Sequence, residues 1–124
     1  MTRSDFIRGL VLNHISDDYE NVDQCILRNV ARDGAKCGLI IARPEVVEAL
    51  TWLVENGLAR AYILSGIAPY STELQAMPPL DVVEEDFETY FYITPKGTDL
   101  HLSDSWYPFD EDDNLRLDWQ LAGE

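Results

Sequence analysis

The segment from Arg43 to Ser65 constrains the fold most strongly, because it encodes a helix, a stop and a strand in direct succession. Pro44 suits the first helical position, where its missing N–H would have no intrahelical partner. Gly57 suits the left-handed residue that ends many helices. Residues 58–65 are rich in aliphatic and aromatic side chains, which is typical of a strand. Three apolar residues of the predicted helix, 44–56, recur at helical spacing and form one face: Val46, Leu50 and Leu53.

Hydrophobic periodicity and capping signals predict further elements in chain order: helices over 5–15 and 19–32, short helical pieces over 71–77 and 79–87, a strand over 90–94, and a helix from Pro95 to about Ser103. Asp33-Gly34 is interpreted as the stop of the second helix, and Thr94 as the N-cap of the last one. The segment 35–42 stays open between a strand and a helical turn, and the connection 66–89 is uncertain in structure. The strand 90–94 is expected to pair antiparallel with 58–65.

The length of 124 residues suits a single domain spanning 1–124. Charge is distributed unevenly along this domain. The net charge is −14, of which residues 1–69 contribute −2 and residues 70–124 contribute −12. A chain this acidic repels phosphate backbones at long range, and no basic patch is visible in the sequence. The N-terminus lacks the apolar core of a signal peptide, and no apolar run approaches a membrane span. A cytoplasmic protein without membrane contact is therefore expected.

Motifs of catalysis and cofactor binding are missing from the sequence, so neither an enzyme nor a cofactor is expected. Cys25 and Cys37 are interpreted as reduced thiols, since no cysteine or histidine partners lie at zinc spacing. Asp110–Asn114 has alternating acids like a calcium loop, but Leu115 replaces the turn glycine and Leu121 the bidentate glutamate. No metal site is predicted.

Two passages, Leu50-x-x-Leu53-x-x-x-Gly57-Leu58 and Tyr92-Ile93-Thr94-Pro95-Lys96-Gly97, resemble the winged helix-turn-helix regulators of the MarR and PadR type. The resemblance covers roughly residues 5–102. It implies an α+β, mostly α fold with a three-helix core, an antiparallel β-hairpin wing and a fourth short helix. Residues 103–124 would form an aromatic and acidic extension packed on this core.

The resemblance also implies that the helix 44–56 would present its outer face to DNA. With the apolar face inward, that outer face carries Glu45, Glu48, Ala49, Trp52 and Glu55, and Arg43 is the one base close by. The predicted wing is acidic as well. The leading hypothesis is therefore a non-catalytic, regulatory module that acts through protein contacts. A partner with a basic surface is expected to meet residues 81–88 and 110–113.

Three further hypotheses stay open. A DNA-binding regulator would need the bases of the N-terminal half, above all Lys36, Arg43 and Arg60, to gather on one side. The acidic surface could instead mimic DNA and occupy another protein's nucleic-acid site. Homodimerisation is expected through the apolar residues of the tail: Trp106, Tyr107, Phe109 and Trp119.

Overall fold

The computed structural model describes residues 2–80, 88–103, 108–109, 111–112 and 114–115. Within these residues the chain is α+β, with four α-helices and a four-stranded antiparallel sheet in the order β1-β4-β2-β3. The elements are α1 (Arg3–His14), β1 (Glu20–Asn21), a π-helical turn (Val22–Ile26), α2 (Leu27–Lys36), α3 (Arg43–Glu55), β2 (Ala59–Leu64), β3 (Ser71–Glu73), β4 (Thr89–Ile93) and α4 (Pro95–His101).

The core lies between the helices and one face of the sheet. The apolar face predicted for the helix 44–56 is confirmed, and the helical residues that are wholly buried include Phe6, Leu10, Val11, Val46, Leu50 and Leu53. On the sheet, alternation turns Ala59, Ala61 and Phe91 inward, whereas Arg60 and Tyr62 lie on the opposite face. The predicted antiparallel pair is also confirmed, with Ala61 opposite Phe91.

The second helix differs from its prediction at both ends. Asn21 accepts hydrogen bonds from the backbone of Asp23 and Gln24, so a π-helical turn begins there, after the short strand β1. Asp33-Gly34 does not end the helix, which continues to Lys36. Gly34 instead allows the Ile41 side chain to approach, because a Cβ at this position would overlap Ile41 Cδ1.

The connection after β2 was predicted as helical over 71–77, and this prediction is wrong. Ser71–Glu73 forms the edge strand β3, with Thr72 opposite Ile63 of β2. The pairing is made by backbone groups across a hairpin, and helical periodicity does not detect it. The segment 35–42, open between a strand and a helical turn, is neither: residues 35–36 end α2, and residues 37–42 form a turn and an irregular segment. Of the piece predicted over 79–87, residues 81–87 lie outside the described residues.

The two passages that carry the family resemblance meet in space. Gly57 has φ +74°, as its predicted role at the end of α3 requires. Thr94 caps α4 by accepting a hydrogen bond from Gly97 N, and its hydroxyl donates to the Gly57 carbonyl oxygen at 2.7 Å. Gly97 lies so close to the start of β2 that a Cβ would overlap the Leu58 carbonyl oxygen.

Gly97→Ala is expected to lower the free energy of unfolding by about 1–3 kcal/mol, because the added methyl group meets backbone that cannot move aside easily. Gly66→Ala is the matched control, since a Cβ at Gly66 has no neighbour within 4 Å. Chemical denaturation of both variants measures the difference. Equal stability of the two variants would contradict the close approach of α4 to β2.

Candidate functional site

The outer face of α3 borders two arginines of α1. Arg3 Nε donates to Glu45 Oε1 at 2.8 Å, and its Nη2 donates to Glu45 Oε2 at 3.2 Å. Arg8 Nη2 donates to Glu48 Oε1 at 2.7 Å. The expectation that Arg43 is the one base near this face is therefore wrong. Helix packing brings in two bases from about forty positions earlier in the chain, a distance at which sequence spacing carries no signal.

Trp52 is half-buried beside these pairs and packs against the core. The Arg8 guanidinium carbon lies 4.6 Å from the centre of the Trp52 ring, which is a cation–π arrangement. The hydrogen bonds from Arg3 and from the Ala42 backbone lower the pKa of Glu45. Ala49 was predicted on the outer face and is instead completely buried. The outer face thus consists of Glu45 and Glu48, both paired, the flank of Trp52, and the exposed Glu55.

A groove runs beside α3 in the described part of the chain. Its central hollow has a volume of about 530 Å³ and lies between α3 and the segment Met77–Pro79. A second hollow of about 670 Å³ shares Glu55 and Met77 with the first and extends to Arg60 and Glu73. A third, of about 240 Å³, shares Pro44 and Glu48 and reaches the start of α1. We call this chain of hollows the α3 groove. Its central lining is Pro44, Val47, Glu48, Thr51, Trp52, Glu55, Met77, Pro78 and Pro79.

The three bases named for the DNA hypothesis, Lys36, Arg43 and Arg60, pair with three different carboxylates. Arg43 at the start of α3 makes a two-pronged ion pair with Asp23, with N–O distances of 2.7 and 3.1 Å, and also donates to the Leu80 carbonyl oxygen. The other two bases pair elsewhere, Arg60 with Glu73 at 3.3 Å on β3 and Lys36 with Asp33 at 3.9 Å on α2. Each base therefore already has an acidic partner.

The tail residues proposed for dimerisation are mostly beyond the described chain. Trp106, Tyr107 and Trp119 lie outside the described residues, whereas Phe109 is half-buried and forms a β-bridge with Leu115. Of the acidic stretches 81–88 and 110–113, the structure describes Glu88, Glu111 and Asp112, and all three are exposed. The structure therefore neither joins nor separates the four aromatic candidates.

A buried polar pair was missed in the sequence. His14 Nε2 lies 2.6 Å from Asp33 Oδ2, and the Asp33 side chain is only 2% exposed. Burial by itself would raise the pKa of Asp33, but the hydrogen bond from His14 and the nearby charges of His14, Arg32 and Lys36 hold the pKa of this carboxyl below its ordinary value. The pair joins α1 to α2. Asp33-Gly34 is interpreted from the sequence as the end of the second helix, so nothing in the sequence indicates a buried ion pair at Asp33.

His101, the second histidine, has a structural setting too. Its Nε2 lies 2.9 Å from Asn13 Oδ1, so it links α4 to α1, and burial lowers the pKa of His101. Among the described residues, no group of three or more His, Cys, Asp or Glu side chains could hold a metal ion. Cys25 and Cys37 are free and half-buried. In the described part of the chain, none of the helices has the length and apolar character needed to cross a membrane.

No family model, curated protein or solved structure matches this chain. The interpretation of the site therefore depends on its geometry. That geometry is suited to binding, because it combines an apolar floor, a half-buried indole and exposed carboxylates.

Asp33→Asn is expected to lower the free energy of unfolding at pH 7 by about 1–3 kcal/mol, since the charged hydrogen bond to His14 is lost. The folded-state pKa of Asp33 lies below its unfolded value, so this contribution is complete above the unfolded value, about 3.9. It is lost as the pH falls through the folded-state pKa. The difference between wild type and variant should therefore shrink below about pH 4.

Urea denaturation at pH 7 and at several values between about pH 4 and pH 2 measures this difference. Asp99→Asn, at an exposed position of α4, is the control for the loss of one negative charge. A stability difference that is independent of pH across this range would contradict the role given to Asp33.

Proposed function

We propose that this protein is a non-catalytic winged-helix module that regulates a partner through protein–protein contacts made at the α3 groove. The observation that carries the proposal is the groove itself, whose lining combines Trp52 and Met77 with the exposed Glu48 and Glu55. Aromatic side chains surrounded by polar groups are typical of protein interfaces. A recess bordered by carboxylates is unfavourable for a phosphate backbone.

The order of elements supports the winged-helix part of the proposal. Three helices precede the antiparallel pair β2 and β4, and α4 follows directly, as the resemblance implies. In this comparison α3 takes the place of the recognition helix, and β3 lies within the connection 66–89, which is expected to belong to the wing. The contact between Gly57 and Thr94 joins the two motifs on which the resemblance depends.

The pairing of the bases favours a protein partner over DNA. Arg43, whose side chain is largely buried in its pair with Asp23, would have to leave this partner to contact a phosphate, and the charge of Arg60 is already balanced by Glu73. The Arg43–Asp23 ion pair is largely buried, so breaking it costs free energy. A phosphate contact made by Arg43 would have to exceed this cost before it contributed to binding. The DNA-binding regulator of the MarR or PadR type is therefore the competing proposal, and the surface that mimics DNA is a special case of the protein-binding one.

Thr51→Arg is expected to weaken binding of the protein partner at least about tenfold, because the long cationic side chain would occupy the centre of the α3 groove. Thr72→Arg is the matched control, since Thr72 lies exposed on β3 and is not part of the groove lining. The partner is isolated by cross-linking and affinity capture, identified by mass spectrometry, purified, and titrated against wild type and both variants. Equal affinities of the two variants would contradict the proposal.

Titration of labelled duplex DNA at low and high salt tests the competing proposal. We expect no binding by the wild type. DNA binding that weakens steeply with salt and is unaffected by Thr51→Arg would favour the DNA-binding regulator. Displacement of this protein from the purified protein partner by duplex DNA would favour the surface that mimics DNA.

Homodimerisation through Trp106, Tyr107, Phe109 and Trp119 stays a prediction. Sedimentation equilibrium of the full chain over a wide concentration range measures it directly. If the prediction holds, Trp106→Ala and Trp119→Ala together shift the chain towards the monomer, because aromatic side chains contribute most to such interfaces. A monomer of 14.1 kDa at every concentration would contradict it.

A further inference from the structure

We propose that the occupant of the α3 groove is an amphipathic helix of the partner protein, with an apolar face that enters the groove and Lys or Arg residues at its borders. This inference depends on the proposed function and specifies the chemistry of the partner. It follows from three features of the groove: its length, the character of its far wall and the charge of its lining.

The length suits a short helix. α3 has 13 residues and is therefore about 20 Å long. The three hollows follow it from Pro44 at its start to Val54 and Glu55 at its end. A partner helix of about 10–14 residues lying alongside α3 would span the same distance. Its apolar side chains at positions i, i+3 or i+4, and i+7 would face the central hollow, and its polar ends would face the two outer hollows, which contain charged side chains.

At the central hollow, the far wall favours a helix over an added strand. An added strand needs a row of backbone N–H and C=O groups on the receiving edge. Pro78 and Pro79 form part of this wall, and proline has no backbone N–H to donate. Met77 lies between the two larger hollows, and a flexible thioether side chain adapts well to an apolar partner surface. A helix satisfies its own backbone and needs only such side-chain contacts.

The lining of the groove carries a net negative charge, because four glutamates (Glu45, Glu48, Glu55 and Glu73) outnumber two arginines (Arg3 and Arg60). Glu48 and Glu55 border it on α3, and Glu73 borders it on β3. Glu48 and Glu73 pair with Arg8 and Arg60, yet about half of each glutamate side chain stays exposed, 54% and 49%. Their carboxylates can therefore accept further cationic donors from a partner. The net charge of −14 would also steer a basic segment towards this protein.

Three labelled model peptides of 14 residues test the inference. All carry leucine at the same helical positions, and the remaining positions are lysine, glutamine or glutamate. Fluorescence anisotropy with the full chain at low salt measures their affinities. We expect the Leu/Lys peptide to bind at least about tenfold more tightly than the Leu/Gln peptide, and the Leu/Glu peptide to bind most weakly.

Variants locate the binding. Glu48→Gln with Glu55→Gln is expected to weaken the Leu/Lys peptide at least about tenfold. Asp99→Asn with Glu111→Gln removes the same charge from exposed positions outside the groove and is expected to change the affinity less than about twofold. Thr51→Arg should abolish binding, and thermal unfolding followed by circular dichroism confirms that every variant is folded.

Two outcomes would overturn the inference. If the Leu/Gln peptide binds as tightly as the Leu/Lys peptide and only Thr51→Arg weakens it, the groove binds helices without selecting basic ones, and the proposed function stands. If the Leu/Lys peptide binds equally well to the Thr51→Arg variant, the attraction is a general effect of charge and the groove is not its site. The titration of the purified protein partner then decides the proposed function separately.

Discussion

The contact between α1 and α3 determines both the core and the candidate site. Phe6 and Leu10 are fully buried on α1, as are Val46 and Leu50 on α3, and burial of such side chains is the main favourable contribution to folding. Two ion pairs from Arg3 and Arg8 to Glu45 and Glu48 join the same two helices at the protein surface. These contacts hold one flank of α3 against α1, and the flank towards the segment Met77–Pro79 borders the central hollow of the groove.

The elements that the sequence predicted well are those with local signals. Pro44 and Gly57 delimit α3, and Thr94 caps α4, so each boundary depends on residues within a few positions. The elements that it missed depend on distant partners. β1 exists because Glu20 and Asn21 pair with β4, some seventy positions later, and β3 exists because it pairs with β2 across a hairpin. Propensity within a short window does not contain that information.

The candidate site also combines features that local sequence signals predict with features that depend on distant residues. Helical periodicity placed Glu45, Glu48, Trp52 and Glu55 on one face correctly, but it placed Ala49 there as well. The buried stripe of α3 is wider than three apolar residues indicate, and Val47 and Ala49 are both part of it. The arginines that pair with this face, and the wall formed by Met77–Pro79, come from other parts of the chain. Only the tertiary structure could reveal them.

The ion pairs of the N-terminal half weaken the argument that its bases form a DNA-binding strip. Its net charge of only −2 left room for a basic strip, yet Arg3, Arg8 and Arg43 each pair with a carboxylate. A cation held by a carboxylate contributes little to the long-range field, because the two opposite charges largely cancel at a distance. The acids in excess, such as Glu55 beside the groove, therefore determine what this surface attracts. A partner that brings its own cations meets these acids favourably, whereas the phosphates of a nucleic acid meet them unfavourably.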